Sequence, residues 1–166
     1  YIYRVHPNLR GKTNIKFTSH DENVNDKCDI IFTAVPHGSS VKIIPKLIDI
    51  GITIIDMAAD FRLKDPEDYI KWYNYNHPNP ELLDKFTYGL PELYRSKLVS
   101  SKLIAIPGCM ALTSILALAP LIKNKIIKEN NIIIDSKIGA SGGGVKPSTA
   151  THYSERYGVV RPYKPV

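Results

Sequence analysis

Apolar runs and helix-like stretches alternate along the first part of this chain. The run from Asp29 to Val35 predicts a buried strand, and the run from Ile52 to Asp56 predicts a second one. Between them, Ser39 is a suitable N-cap for a helix that reaches about Ile50 and is interrupted at Pro45. This strand–helix–strand order predicts parallel pairing with a right-handed crossover.

The same alternation continues towards the middle of the chain. Asp65 followed by Pro66 predicts the start of a helix that runs to about Trp72 or Tyr73, because a capping carboxylate and a proline favour a helix N-terminus. A short strand from Leu103 to Ile106 then leads into an apolar helix from Cys109 to about Leu118.

The last part of the chain predicts the start of a second domain. Ile132 to Lys137 reads as another strand, and Asn130 with Asn131 reads as the turn before it. A single strand cannot bury both of its faces, so this domain is incomplete. The predicted fold class is therefore α/β, with a parallel sheet in residues 1–130 and the beginning of a second α/β domain in residues 131–166.

Composition and charge exclude several classes of function. The chain has 22 basic and 16 acidic side chains and a net charge of +6, but no aromatic residues interleave with a basic stripe as nucleic-acid binding would favour. Lys123, Lys125 and Lys128 are read as a solvated helix face. No apolar run has the length of a membrane span. Two widely separated cysteines resemble neither a disulfide framework nor a zinc ligand set, which favours a reducing, cytoplasmic setting.

Four motifs follow predicted strands. They are Pro36-His37-Gly38, the loop after Asp56, Pro107-Gly108-Cys109 and the glycine-rich segment 139–144. Ligands of parallel sheets bind at the carboxyl ends of the strands, so the four motifs predict an active site at one edge.

Cys109 is the candidate nucleophile. At a helix N-terminus the unpaired backbone N–H groups and the helix dipole favour a thiolate, and the same N–H groups can stabilise an oxyanion. The alternative is a small buried residue at the start of a packed helix. Cys28, at the entrance of a strand, is read as structural.

The other candidate site residues have weaker patterns. Ser141-Gly142-Gly143-Gly144 can cradle a phosphate, but such loops are often only turns, and the spacing does not match G-x-G-x-x-G. His37, just after a strand, is the best placed histidine, although a surface or core role is equally compatible. His6, His20 and His77 are set aside because their surroundings are polar or proline-rich.

Six segments together resemble the N-acetyl-gamma-glutamyl-phosphate reductase family and its relatives that act on aminoadipyl or glutamyl phosphate attached to an amino-group carrier protein. The segments occur in the family's order and spread over nearly the whole chain. They are residues 4–11 (RVHPNLRG), 34–38 (AVPHG), 56–63 (DMAADFRL), 88–93 (YGLPEL), 107–109 (PGC) and 139–144 (GASGGG).

This resemblance implies a two-domain enzyme with a Rossmann-like dinucleotide-binding domain and a second domain for catalysis and oligomerisation. It implies that the Cys109 thiolate forms a thioester with an acyl phosphate, which NADPH reduces to a semialdehyde in arginine or lysine biosynthesis. The implied partners are the acyl phosphate, free or attached to an acidic carrier protein, and further copies of the chain. The implied cofactor-binding residues are Pro36, His37, Gly38, Ser141, Gly142 and Gly143.

Some features depart from the family pattern. Leu112 stands where threonine is usual, with Thr113 one position later, and Ile106 replaces a common asparagine. The family's glycine-rich loop is expected before Tyr1 and its acid–base histidine after Val166, so both ends look truncated. The alternatives are an enzyme of the aspartate-semialdehyde dehydrogenase type and a non-catalytic binding domain derived from a reductase.

Overall fold

The structure, a computed structural model, describes residues 1–19, 28–144 and 146–162. His20 therefore lies outside the described residues. The chain forms two compact units, Tyr1–Pro107 and Gly108–Val166. The compact units divide after Pro107, whereas the sequence predicted a domain boundary near Asn130. The predicted boundary concerns the complete enzyme, and it stays a prediction.

The first unit is built on a parallel sheet of four strands. These are β1 (Ile30–Thr33), β2 (Thr53–Asp56), β3 (Thr87–Tyr88) and β4 (Leu103–Ala105), in the spatial order β1-β2-β4-β3. The last residues of all four strands lie opposite one another, so the carboxyl ends form one edge of the sheet. The predicted parallel α/β fold is confirmed; β3 was not predicted, because two residues carry no periodicity.

Three helices belong to this unit: α1 (Ser40–Ile48), α2 (Glu67–Tyr73) and α3 (Pro91–Leu98). The predicted interruption of α1 at Pro45 was wrong, since the helix continues through it. The predicted cap of α2 is confirmed, because Asp65 Oδ1 accepts the N–H of Glu67 at 2.9 Å. Short 3-10 helices cover Ile2–Arg4, Pro7–Leu9 and Pro80–Lys85.

Helix α1 covers one face of the sheet. Its buried residues Val41, Ile44 and Leu47 recur every three positions, and they join Ile54 of β2 in one hydrophobic cluster. The same cluster contains the aromatic residues Phe61, Tyr69 and Phe86 from the connecting segments. On the opposite face, Ile30 and Phe32 are 48% and 62% exposed, so the strand that was predicted to be buried is buried on one face only.

The second unit contains one long helix, α4 (Cys109–Lys123), and a short one, α5 (Tyr153–Arg156). The helix α4 passes the predicted end at Leu118 and continues through Pro120, whose carbonyl accepts the Asn124 N–H at 3.2 Å. The strand predicted for residues 132–137 was wrong, because a strand needs a hydrogen-bonded neighbour and the described chain supplies none there. None of the described residues of this unit is buried.

Candidate active site

The loop of residues 57–62, after β2, connects two neighbouring carboxyl ends of the sheet. On one side Ala59 N–H donates to His37 Nδ1 at 3.0 Å. On the other side Arg62 Nε donates to the carbonyl of Ile106 at 2.6 Å. The loops after β1, β2 and β4 are thus linked to one another by hydrogen bonds at the edge where the sequence predicted a site.

Asp60 occupies the N-terminus of α1. Its Oδ1 accepts the N–H of Gly38 at 2.7 Å, and its Oδ2 accepts the N–H of Ser40 at 3.0 Å and that of Val41 at 3.4 Å. Ser39 is the N-cap residue, as predicted, but its side chain makes no cap hydrogen bond. A carboxylate from a distant loop takes the place of a local cap because it meets several unpaired N–H groups at once.

A second buried carboxyl, Asp56, lies beside Asp60. Asp56 Oδ1 accepts the hydroxyl of Thr33 at 2.7 Å and the N–H of Ala58 at 3.1 Å. Ser40 Oγ lies 3.0 Å from Asp56 Oδ2 and 2.8 Å from Asp60 Oδ2. A serine has one hydroxyl proton, which cannot serve two carboxylates at the same time. The contacts are all satisfied when Asp56 keeps a proton of its own.

The burial of both carboxyl groups supports a proton on Asp56. Asp56 and Asp60 are both 0% exposed. Burial raises the pKa of the Asp56 carboxyl; the hydrogen bonds that it accepts oppose this, and the charge of Asp60 adds to it. The nearby hydroxyl of Tyr75 donates to Asp60 Oδ1 at 3.0 Å, and burial together with the charge of Asp60 raises the pKa of Tyr75. A single negative charge on Asp60 therefore fits the whole cluster.

Aromatic residues pack next to the cluster. The ring of His77 is 7% exposed, and its Nε2 lies 2.7 Å from the backbone oxygen of Asp60. The Tyr69 hydroxyl donates to the carbonyl of Leu63 at 3.3 Å, and burial raises its pKa. His77 was set aside on sequence, and it has a structural place in the core.

Arg62 holds the end of β4. Besides its bond to Ile106, its Nη2 donates to the carbonyl of Met57 at 2.8 Å. Ile106 N–H in turn donates to the carbonyl of Asp56 at 2.8 Å. These bonds fix the backbone at the end of β4 as far as Ile106.

Cys109 is the first residue of the 15-residue helix α4, and its side chain is exposed. Gly108 is the N-cap, in an extended conformation, and has no side chain to satisfy the first N–H groups of the helix. Leu112 stands where the family usually has threonine, and Thr113 is the next residue. The Thr113 hydroxyl donates to the carbonyl of Met110 at 3.0 Å. The thiol therefore lies at a helix N-terminus, as the sequence predicted, and Thr113 bonds back to its own helix.

The glycine-rich segment forms a 3-10 helix, Ala140–Gly143. Gly142 N–H donates to the carbonyl of Gly139 at 3.0 Å, and Gly144 N–H donates to that of Ser141 at 3.1 Å, so these two amides close the turn itself. The predicted role of Ser141, Gly142 and Gly143 in binding a cofactor or phosphate stays a prediction.

A cavity of about 570 Å³ lies within the second unit. Its lining includes Met110, the residue after Cys109, together with Gly142 and Gly143. Arg156 and Arg161 also line it. Guanidinium groups suit an anionic ligand such as a phosphate.

Comparison with known proteins identifies the family. The semialdehyde dehydrogenase NAD-binding domain matches residues 1–101, and the semialdehyde dehydrogenase dimerisation domain matches residues 109–166. The chain belongs to the semialdehyde dehydrogenase family. This confirms an α/β dinucleotide-binding domain followed by the beginning of a dimerisation domain.

Named relatives resemble the chain closely. The [LysW]-L-2-aminoadipate/[LysW]-L-glutamate phosphate reductase of Saccharolobus solfataricus is 53% identical over 161 residues, which are 96% of this chain and 46% of the relative. A Pyrobaculum aerophilum protein, provisionally given the same name, is 53% identical over 168 residues, which are 100% of this chain and 48% of the relative. The chain thus spans about half the length of these curated relatives. The predicted resemblance to carrier-linked acyl-phosphate reductases is confirmed.

Among the described residues, no helix has the length and apolar character needed to cross a membrane.

Proposed function

We propose that this protein reduces an acyl phosphate to a semialdehyde with NADPH, in lysine or arginine biosynthesis in the cytoplasm, and that Cys109 is its nucleophile. The observation that carries the proposal is the exposed thiol at the first residue of α4, where Gly108 leaves the N–H groups of the first turn without a side-chain acceptor. The names of the relatives support the same reaction class.

Cys109 would perform the displacement. Its thiolate attacks the carbonyl carbon of the acyl phosphate, a C–S bond forms, and the C–O bond to phosphate breaks with its electron pair on the leaving phosphate. The first backbone N–H groups of α4 lie at the thiol and can stabilise the negative oxygen that forms on the attacked carbon. The product of this step is a thioester on Cys109.

When bound, NADPH would supply a hydride to the carbonyl carbon of the thioester; the C–S bond would then break with its electron pair on Cys109, which leaves the semialdehyde and a thiolate. The described residues fit part of such a cofactor: the exposed loop of Pro36, His37 and Gly38 lies at the carboxyl edge of the sheet, where dinucleotides bind. The N-terminus of α1 does not fit its phosphates, since Asp60 already accepts N–H groups there. The choice of NADPH over NADH belongs to this proposal.

The proposed substrate is an aminoadipyl or glutamyl phosphate attached to an acidic amino-group carrier protein. The relatives' names specify LysW-linked substrates, and the net charge of +6 would attract an acidic carrier. We expect the association rate with the carrier to fall steeply as salt is added. A flat salt response would contradict the electrostatic part of this proposal. The dimerisation-domain match supports a homo-oligomer.

The test is the reverse reaction of the full-length protein, followed as phosphate-dependent reduction of NADP by a semialdehyde. We expect Cys109→Ser to abolish turnover and Cys28→Ser, the matched control, to retain it. An active Cys109→Ser protein would exclude the thioester mechanism. Absence of activity in the wild type with both carrier-linked and free N-acetylated semialdehydes would favour the non-catalytic alternative.

A further inference from the structure

The ring of His37 is held by one of its two nitrogens. Nδ1 accepts the N–H of Ala59 at 3.0 Å, and Ala59 is 0% exposed. A backbone amide can only donate, so Nδ1 keeps its lone pair in this contact. A neutral ring therefore carries its proton on Nε2. Protonation at Nδ1 would leave the buried amide of Ala59 without an acceptor, which is unfavourable.

The loop that carries the ring is held as well. Gly38 N–H donates to Asp60 Oδ1 at 2.7 Å, and Gly38 has φ = +80°, a conformation that suits glycine. The His37 ring meets Tyr73 edge to face, with 5.9 Å between ring centroids. The side chain is exposed, and in the described part of the chain Nε2 has no hydrogen-bond partner. The free N–H of the ring thus remains available to a ligand.

The neighbouring helix offers a ligand few other donors. The N–H groups of Gly38 and Ser40 are both taken by Asp60, whose carboxylate is fully buried. The side-chain donors of this loop that remain for a ligand oxygen are the Nε2–H of His37, which is exposed, and the half-buried hydroxyl of Ser39. This differs from the common arrangement in which a helix N-terminus binds the anion directly.

We infer that His37 binds as a neutral imidazole whose Nε2–H donates to an acceptor oxygen of the dinucleotide, and that Ala59 and Asp60 are positioning residues that hold it in this state. The identity of the ligand rests on the proposed function. The state of the ring does not, because it follows from the contact between Ala59 and His37.

The ring state can be measured without any ligand. In the full-length protein labelled with ¹⁵N-histidine, long-range ¹H–¹⁵N correlation spectra distinguish the two neutral tautomers and the imidazolium. The His37 signals are assigned by their loss in His37→Asn. We expect the neutral form with the proton on Nε2 at pH 7.5. A proton on Nδ1, or a doubly protonated ring at that pH, would overturn the inference.

Two variants of His37 then test the roles of its two ring nitrogens separately. In His37→Asn the side-chain oxygen reaches the position of Nδ1 and can still accept from Ala59, but the outer donor is lost. In His37→Gln the amide nitrogen reaches the position of Nε2, but the acceptor for Ala59 is lost. We expect His37→Asn to keep the wild-type melting temperature and to weaken NADPH binding about tenfold, the effect of one hydrogen bond. We expect His37→Gln to lose less affinity and more thermal stability.

The outcomes distinguish the two proposals. Wild-type affinity in His37→Asn would overturn the role of Nε2 in binding, even if the tautomer is as inferred. A wild-type protein that binds no NADPH would overturn the ligand assignment together with the proposed function. In that case the tautomer spectrum still decides the state of the ring.

Discussion

Replacing each of the two buried aspartates by asparagine should have very different effects on stability. Asp60 accepts hydrogen bonds from Gly38, Ser40, Val41 and Tyr75, with donors at both carboxylate oxygens. In Asp60→Asn an NH₂ group must face one of these sets of donors, so about two hydrogen bonds to a charged group are lost. At roughly 2 kcal/mol for each, the free energy of unfolding should fall by about 4 kcal/mol.

Asp56→Asn should be much milder, because a protonated carboxyl and an amide have similar hydrogen-bonding patterns. The amide oxygen can accept from Thr33 and Ala58, and the NH₂ can donate to Ser40. One N–H remains without a partner, which costs about 1 kcal/mol. Asp49→Asn, at an exposed position, serves as the baseline and should change stability by less than about 0.5 kcal/mol.

Urea unfolding of the three full-length variants measures these differences. Infrared spectra of the wild type should also contain the carbonyl stretch of a protonated carboxylic acid, and this band should disappear in Asp56→Asn. If Asp56→Asn costs as much as Asp60→Asn, or if the band is absent, the assignment of the proton to Asp56 is refuted.

Three further results are expected. Because burial raises the pKa of Asp56 above 3.8, the folded state keeps a proton that the unfolded chain releases. The stability of the wild type relative to Asp56→Asn should therefore be greatest below pH 3.8 and decline as the pH rises through the pKa of Asp56 in the folded state. Urea unfolding over a pH series measures this difference in the free energy of unfolding, and a difference that rises with pH would contradict the prediction. Arg62→Lys should lower the free energy of unfolding by about 2 kcal/mol, since the guanidinium reaches its two carbonyls from two separate nitrogens, Nε and Nη2, whereas the donors of an ammonium all lie on one nitrogen; a loss under about 0.5 kcal/mol would count against that bridge. Cys109 should be alkylated faster than Cys28 at neutral pH, as followed by peptide mass spectrometry, because it is exposed at a helix N-terminus; equal rates would argue against an activated thiol.

Much of the sheet was predictable because its local patterns are strong. The apolar runs at β1 and β2, and the capping carboxylate of Asp65, are signals within a few residues of one another. The strand predicted for residues 132–137 was wrong because an apolar run is also compatible with irregular chain, and only a pairing partner makes it a strand.

The buried cluster of carboxyls could not be predicted as a network. Asp60 lies 22 residues after Gly38, to which it binds, and Arg62 lies 44 residues before Ile106. No periodicity relates such positions, because the fold alone brings them together. Asp60 and Arg62 both lie in the segment DMAADFRL (residues 56–63), and this segment was the available signal. It indicated the family, but not what each side chain contacts.

The most direct test of the proposed mechanism is a single-turnover experiment without NADPH. Full-length protein is mixed with freshly prepared carrier-linked acyl phosphate, and both released phosphate and intact protein mass are measured. We expect a burst of about one phosphate per active site, with the acyl group attached to the peptide that contains Cys109. Phosphate release that requires NADPH, or an acyl group attached elsewhere, would contradict the mechanism.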